Sequence, residues 1–209
     1  MRTWISNFLL FFAGLGLGVW LASMVKLDLD QNHDAEVFDH ERLAETTKPT
    51  VPAPAAPAPA QGSVVGRLSI DRIHLQAMVR EGDDAGTLDV ALGHIPGTAF
   101  PGQKGNVGVA GHRDRLFSHL GELKADDTIA IETPTTTYVY VVDGTQIVKP
   151  QDVGVLAAGP HDQLTLVTCY PFRYIGAAPK RYIVKAHLEA HNLSAASSSA
   201  QKDSSAAAQ

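Results

Sequence analysis

A single cysteine, Cys169, in 209 residues rules out any internal disulfide. Positive charge is also in short supply: 17 Lys and Arg face 22 Asp and Glu, a formal net charge of -5, and the basic residues are scattered. Without a basic field a polyanion has nothing to bind, so nucleic acid is excluded as a partner. A complete metal-binding loop is missing too. Asp28, Asp30 and Asn32 begin like a calcium loop, but His33 stands where the turn needs Gly and Asp39 where a Glu closes the cage. No metal or organic cofactor is expected. There is no internal repeat, and helical periodicity is weak beyond residue 62.

What is present begins with an uncharged run from Trp4 to Val25. As a helix its 22 residues would extend roughly 33 Å, enough for a hydrocarbon core of about 30 Å. No small-x-small cleavage site follows, since Ala22-Ser23-Met24 and Leu21-Ala22-Ser23 each carry a bulky residue, so a retained anchor is expected over 1–27. Arg2 precedes the run, and Asp28, Asp30, Asp34 and Glu36 follow it, favouring a single pass of the cytoplasmic membrane with the bulk of the chain outside. Residues 28–61 read as an acidic stalk, solvated or forming a short exposed helix around Val37 and Leu43, and then a Pro/Ala tract, Lys48 to Gln61. Its prolines lock φ and remove donors, which gives an extended tether.

Residues 62–190 change character to short β-branched runs broken by Gly, Pro and Asp. Eight strands are predicted: Val64–Ile70, Leu75–Arg80, Asn106–Ala110, Thr128–Glu132, Thr136–Val142, Thr145–Lys149, Gln163–Thr168 and Arg181–Leu188. The fold class is all-β, a closed barrel or a sandwich, with short helices over Asp84–Leu92, Leu116–Leu123 and Asp152–Ala157. Asp143-Gly144 is a hairpin signal between the fifth and sixth strands. Residues 191–209, rich in Ser and Ala, have little to bury and read as a disordered tail.

Cys169 ends the apolar run Leu164-Thr165-Leu166-Val167-Thr168 just before Tyr170-Pro171, so a strand delivers the thiol to the rim of a sheet. It is either a nucleophile or a packed small hydrophobe. His112 follows the strand Asn106–Ala110 and Gly111, whose missing side chain leaves room for another chain to approach the imidazole. His94 and His119 compete with it for a proton-transfer role. Arg181 opens the last strand, twelve residues after the thiol, where an antiparallel return brings it back toward Cys169; Arg173 is the alternative.

His112, then Thr165-Leu166-Val167-Thr168-Cys169, then Arg181 opening a strand resembles the signature of the sortase family: TLxTC with an upstream His and a downstream Arg. Gly93-His94-Ile95-Pro96-Gly97 through Gly102, and Val109-Ala110-Gly111-His112-Arg113, are similar to the corresponding segments of class D or Gram-negative-type sortases. The resemblance spans roughly Gly62 to Glu189. It implies a closed eight-stranded β-barrel preceded by one transmembrane helix, and a membrane-anchored cysteine transpeptidase. Cys169 would be nucleophile, His112 proton shuttle and Arg181 stabiliser of the reacting carbonyl, with Thr168 and His94 as candidate substrate-binding residues. The implied partners are an exported protein bearing an LPxTG-like sorting motif and an amine acceptor, either a peptidoglycan precursor or a protein lysine. L,D-transpeptidases need His two residues before Cys, where this chain has Val167, and papain-like enzymes place Cys before His. The rival reading is a non-catalytic tethered β-barrel that binds a surface partner, with Cys169 merely packed.

Overall fold

The computed structural model describes residues 2–46 and 59–193, with side chains from Phe12 to Leu43, apart from 13 and 24, and from 59 to Glu189. Most of the Pro/Ala tract and of the Ser/Ala tail thus lies outside the described residues.

Eight strands form one closed barrel: β1 (Val64–Ile70), β2 (Leu75–Glu81), β3 (Leu92–His94), β4 (Asn106–Ala110), β5 (Thr128–Glu132), β6 (Thr136–Val148), β7 (Gln163–Tyr170) and β8 (Lys180–Leu193). Their order around the barrel is β1-β2-β3-β4-β7-β8-β6-β5, closed by antiparallel pairing of β1 with β5. Two pairs, β2/β3 and β4/β7, are parallel. Alternation with period two sends Leu68 and Ile70, Ile129 and Ile131, Leu164 and Leu166, and Tyr182 and Val184 inward, and these join one core with Phe117 and Tyr140. At about 25 cal/mol per Å² of apolar surface removed from water, this lumen is the main source of stability.

The strand count agrees with expectation, but two assignments change. Asp143-Gly144 does not turn the chain. β6 runs straight through it, paired with β8 along its whole length, and the dipeptide marks a register shift between Val142 and Gly144. Asp143 sits outside the ladder, its carboxylate 2.6 Å from His187 Nδ1. β3, only three residues long, lacks the β-branched alternation that reveals a strand from sequence, and is held by β2 on one side and β4 on the other. The short helices also shrink, to α2 (Ala85–Leu88) and 3-10 turns at Leu120–Glu122 and Val153–Leu156.

The larger difference lies before the barrel. α1 runs unbroken from Arg2 to Thr46, and the segment expected as a spacer docks on the barrel wall. Gln31, Asp34, Phe38 and Arg42 recur at helical spacing and share a face. Gln31 accepts from the Met78 amide at 2.7 Å and donates to the Val90 carbonyl at 2.6 Å, filling the gap beyond Val79–Leu92, the first pair of the β2/β3 ladder. Asp34, itself buried, takes two bonds from Arg80 at 2.6 and 2.7 Å, and its carboxylate raises the pKa of that guanidinium. Arg42 bonds Glu132 at 2.8 Å, and Phe38 is buried under the Arg67 guanidinium. Val37 and Leu43 face solvent, as an exposed helix requires, and the docking face is a different one. Among the described residues no helix is long and apolar enough to cross a membrane.

Candidate active site

Register builds the site. β4 and β7 run parallel with Ala110 level with Val167, so two further residues along each chain bring His112 level with Cys169. The extension is hydrogen-bonded: the Gly111 amide donates to the Val167 carbonyl at 3.1 Å, and the buried Thr168 hydroxyl donates to the Gly111 carbonyl at 2.7 Å. On the other side of β7, antiparallel β8 sets Arg181 directly opposite Cys169. β7 therefore carries the thiol between an imidazole and a guanidinium.

The same alternation that turns Leu164, Leu166 and Thr168 inward turns Thr165, Val167 and Cys169 to the outer face of the barrel. Across β8 their partners are Lys185, Ile183 and Arg181. The outer face thus holds three successive rows: a thiol and guanidinium pair, an apolar pair and a polar pair. A cleft of about 310 Å³ runs over the first two rows, lined by Cys169, His112 and Arg181, by Val167 and Ile183, and by Val153, Val155 and Leu156 as one wall. The polar row fastens that wall. Lys185 Nζ donates to the Val155 carbonyl and to Thr165 Oγ1; Thr165 donates to Asn106 Oδ1 at 2.8 Å; and Asn106 Nδ2 reaches the Val155 and Ala157 carbonyls at 3.2 and 3.3 Å. Burial of its ammonium lowers the Lys185 pKa.

The thiol is half-buried and free. His112 Nε2 lies 3.9 Å from Asp89 Oδ1, and Arg115 grips the same aspartate through its carbonyl at 2.6 Å. Arg181 donates to the Lys180 carbonyl at 3.1 Å, which turns the guanidinium back over the end of β8. A half-buried thiol, an imidazole and a fixed cation around one apolar cleft suit acyl transfer through a thioester.

Other expected positions fall elsewhere. His94 does not line the cleft. Its ring is buried, with Nδ1 2.6 Å from Glu81, Nε2 near Thr98 and the Ala99 carbonyl, and Phe100 stacked at 4.3 Å, so every polar atom is engaged within the barrel wall. Its neighbour Ile95 is the cleft residue of that segment. Thr168 borders the cleft, but its hydroxyl is occupied by Gly111. His119 is exposed and paired with Glu122, and Arg173 is exposed in the loop after β7. Gly111 makes room for the core, not for an approaching chain: a Cβ there would stand 2.6 Å from the Phe117 ring and 2.7 Å from Leu92. Sequence reasoning missed Asp89, Lys185 and Arg113. Only Arg113, adjoining His112 in the quoted motif, carried a local signal. Among the described residues no cluster of His, Cys, Asp or Glu is arranged to hold a metal ion.

Comparison with known proteins agrees with this architecture. The sortase-domain family profile matches residues 68–189. Sortase D of Bacillus subtilis strain 168 is 35% identical over 127 residues, which make up 60% of this chain and 64% of that protein, slightly under two thirds. Sortase A of Bacillus anthracis is 28% identical over 171 residues, 78% of this chain and 76% of that one. Among solved structures, sortase E from Streptomyces avermitilis superposes with a TM-score of 0.58 at 32% identity, covering 65% of this chain and 93% of its own. A Clostridium perfringens sortase D5 transpeptidase gives 0.62 at 25% identity, covering 79% and 99%. With its closed barrel and its Cys-, His- and Arg-bearing strand ends in common register, the chain belongs to the sortase family, and class D members are among its relatives.

Proposed function

We propose that this chain is a membrane-anchored cysteine transpeptidase that cleaves an LPxTG-like sorting motif in exported proteins and passes the acyl group to an amine. The observation that carries this reading is the register of β7, which aligns Cys169 with the end of β4 and sets it opposite Arg181. The apolar cleft running away from the thiol suits a short extended peptide with aliphatic side chains.

In this reading the Cys169 thiolate adds to the scissile carbonyl carbon, and the developing oxyanion is held by Arg181. His112, as imidazolium, gives its proton to the departing amine as the C–N bond breaks, leaving a thioester and a neutral imidazole. An incoming amine attacks the thioester and loses a proton to His112, the new amide forms, and the thiolate is released; water in place of the amine gives hydrolysis. The acceptor is a peptidoglycan precursor or a protein lysine.

Anchoring rests on the uncharged run from Trp4 to Val25 and on the described side chains within it. Phe12, Leu15, Leu17, Val19, Trp20, Leu21 and Val25 are all exposed, pointing around the helix and not to one face, as a segment surrounded by lipid requires. The enzyme then sits in the cytoplasmic membrane with its barrel outside.

The test is mass spectrometry of the full chain in detergent, incubated with a panel of LPxTG-like peptides and an amine. The expected result is a thioester adduct on Cys169 that transfers to the amine and is lost in Cys169→Ala. A folded protein whose thiol reacts with a small electrophile but forms no adduct with any peptide would overturn the proposed substrate class.

A further inference from the structure

Arg113 directly follows His112, and its guanidinium reaches the loop that leaves Cys169. Nη1 donates to the Pro171 carbonyl at 2.9 Å, and Nη2 donates to the Tyr174 carbonyl at 2.9 Å and the Gly176 carbonyl at 3.2 Å. The cation also stands 5.8 Å from the centre of the Tyr174 ring. These three acceptors sample the whole loop: Pro171 as the chain leaves β7, Tyr174 at its exposed middle and Gly176 on the return to β8. At Gly176 φ is +95°, a conformation that L side chains rarely adopt, and it sets the direction of that carbonyl.

Loop 171–179 connects the two reactive strand ends. Tyr170 and Lys180 form the last pair of the β7/β8 ladder, and Cys169 and Arg181 the pair before it. A displacement of the loop therefore moves the thiol and the cation relative to each other and to the imidazole. The His-bearing loop and the Cys-to-Arg loop belong to different connections, and the Arg113 fork spans them. An ammonium in its place lacks the planar set of donors needed for three acceptors.

We propose that Arg113 is a positioning residue for acyl transfer: it ties the His112 loop to the 171–179 loop and so holds Cys169, His112 and Arg181 in one geometry. This rests on the transpeptidase reading above. A misplacement of about 1 Å at a reacting centre can lower a rate by about 10²-fold. Arg113→Ala is thus expected to lower kcat for peptide-to-amine transfer by about ten- to a hundredfold, with KM within about threefold of wild type. Arg113→Lys should restore little of that loss. Gly176→Ala, which disturbs one acceptor and leaves Arg113 intact, should lower kcat in the same direction.

The experiment measures transfer kinetics of the full chain in detergent for wild type and the three variants, with amide hydrogen exchange of 171–179 on the same samples. The inference predicts faster exchange in that loop for Arg113→Ala. Unchanged exchange, a kcat within threefold of wild type, full rescue by Lys or a loss confined to KM would each overturn it. A wild-type chain forming no thioester with any peptide overturns the transpeptidase reading instead, and loop exchange then still decides whether Arg113 holds the two connections together.

Discussion

Cys169 occupies an outward position on a strand whose inward positions are filled by Leu164, Leu166 and Thr168, so the thiol is rigidly held yet reachable. Cys169→Ala is expected to abolish acyl-enzyme formation, read by intact mass. Arg181→Ala removes the cation proposed to face the oxyanion and should lower kcat by about 10²- to 10³-fold, with Arg181→Lys recovering only part, in single-turnover kinetics. Thr168→Val would leave the buried Gly111 carbonyl without its donor and should destabilise the fold by about 1–3 kcal/mol in urea titration. Asp84 makes stability depend on pH. Its carboxylate accepts from Gln61, from the Thr87 hydroxyl and amide and from the Gly86 amide, and these bonds depress its pKa to about 2. A carboxyl that is more acidic folded than unfolded stabilises above its unfolded value of about 3.9 and loses that contribution as pH falls toward 2. Asp84→Ala should therefore be less stable than wild type at neutral pH and converge with it near pH 2. The residues proposed to react stand out in the sequence because TLVTC, GHR and the returning Arg are local patterns. Arg113 and Asp89 owe their roles to loops far apart in the chain, and no spacing rule connects them.

At the scale of elements, α1 illustrates how a docking helix escapes a search for apolar periodicity. Its barrel-facing stripe is Gln31, Asp34, Phe38 and Arg42, with a single large hydrophobe, and the complementary groups lie 29 to 90 residues away in sequence. Arg80→Ala would strand the buried Asp34 carboxylate. Complete burial would make that about 3–5 kcal/mol, and the partial exposure of Arg80 reduces the expected loss to about 2–3 kcal/mol, measured by chemical denaturation. The cleft wall 153–156 depends similarly on Lys185, Thr165 and Asn106. The Asp143-Gly144 hairpin signal failed for a related reason. Two-residue turns are favoured where both flanking segments lack other partners, whereas here β8 pairs with β6 on both sides of the dipeptide and draws it into a bulge.

For the whole molecule, the docked half of α1 changes what the amino-terminal third does. Ser23, just before the end of the uncharged run, receives a hydrogen bond at 3.3 Å from Arg115, three residues after His112. With the proposed anchor, the His-loop end of the barrel would stand close to the membrane surface instead of at the end of an extended tether. A chain beginning at residue 59 would expose the site of Phe38, whose burial contributes about 1.5–3 kcal/mol, and would lose the ion pairs to Arg80, Arg67 and Glu132. Such a chain should melt below one beginning at Ser23, in differential scanning calorimetry.

Strand-forming runs, the uncharged amino-terminal segment and the order His, Cys, Arg follow from the residues in line, because period-two burial and side-chain chemistry are properties of short stretches. The parallel pairing of β4 with β7, the pairing of Cys169 with Arg181, the apolar cleft over their outer face and the seat of α1 depend on contacts between residues distant in sequence. Closing those long loops is entropically unfavourable until the barrel core forms, so these features exist only once Leu68, Ile131, Leu166 and Val184 share one interior.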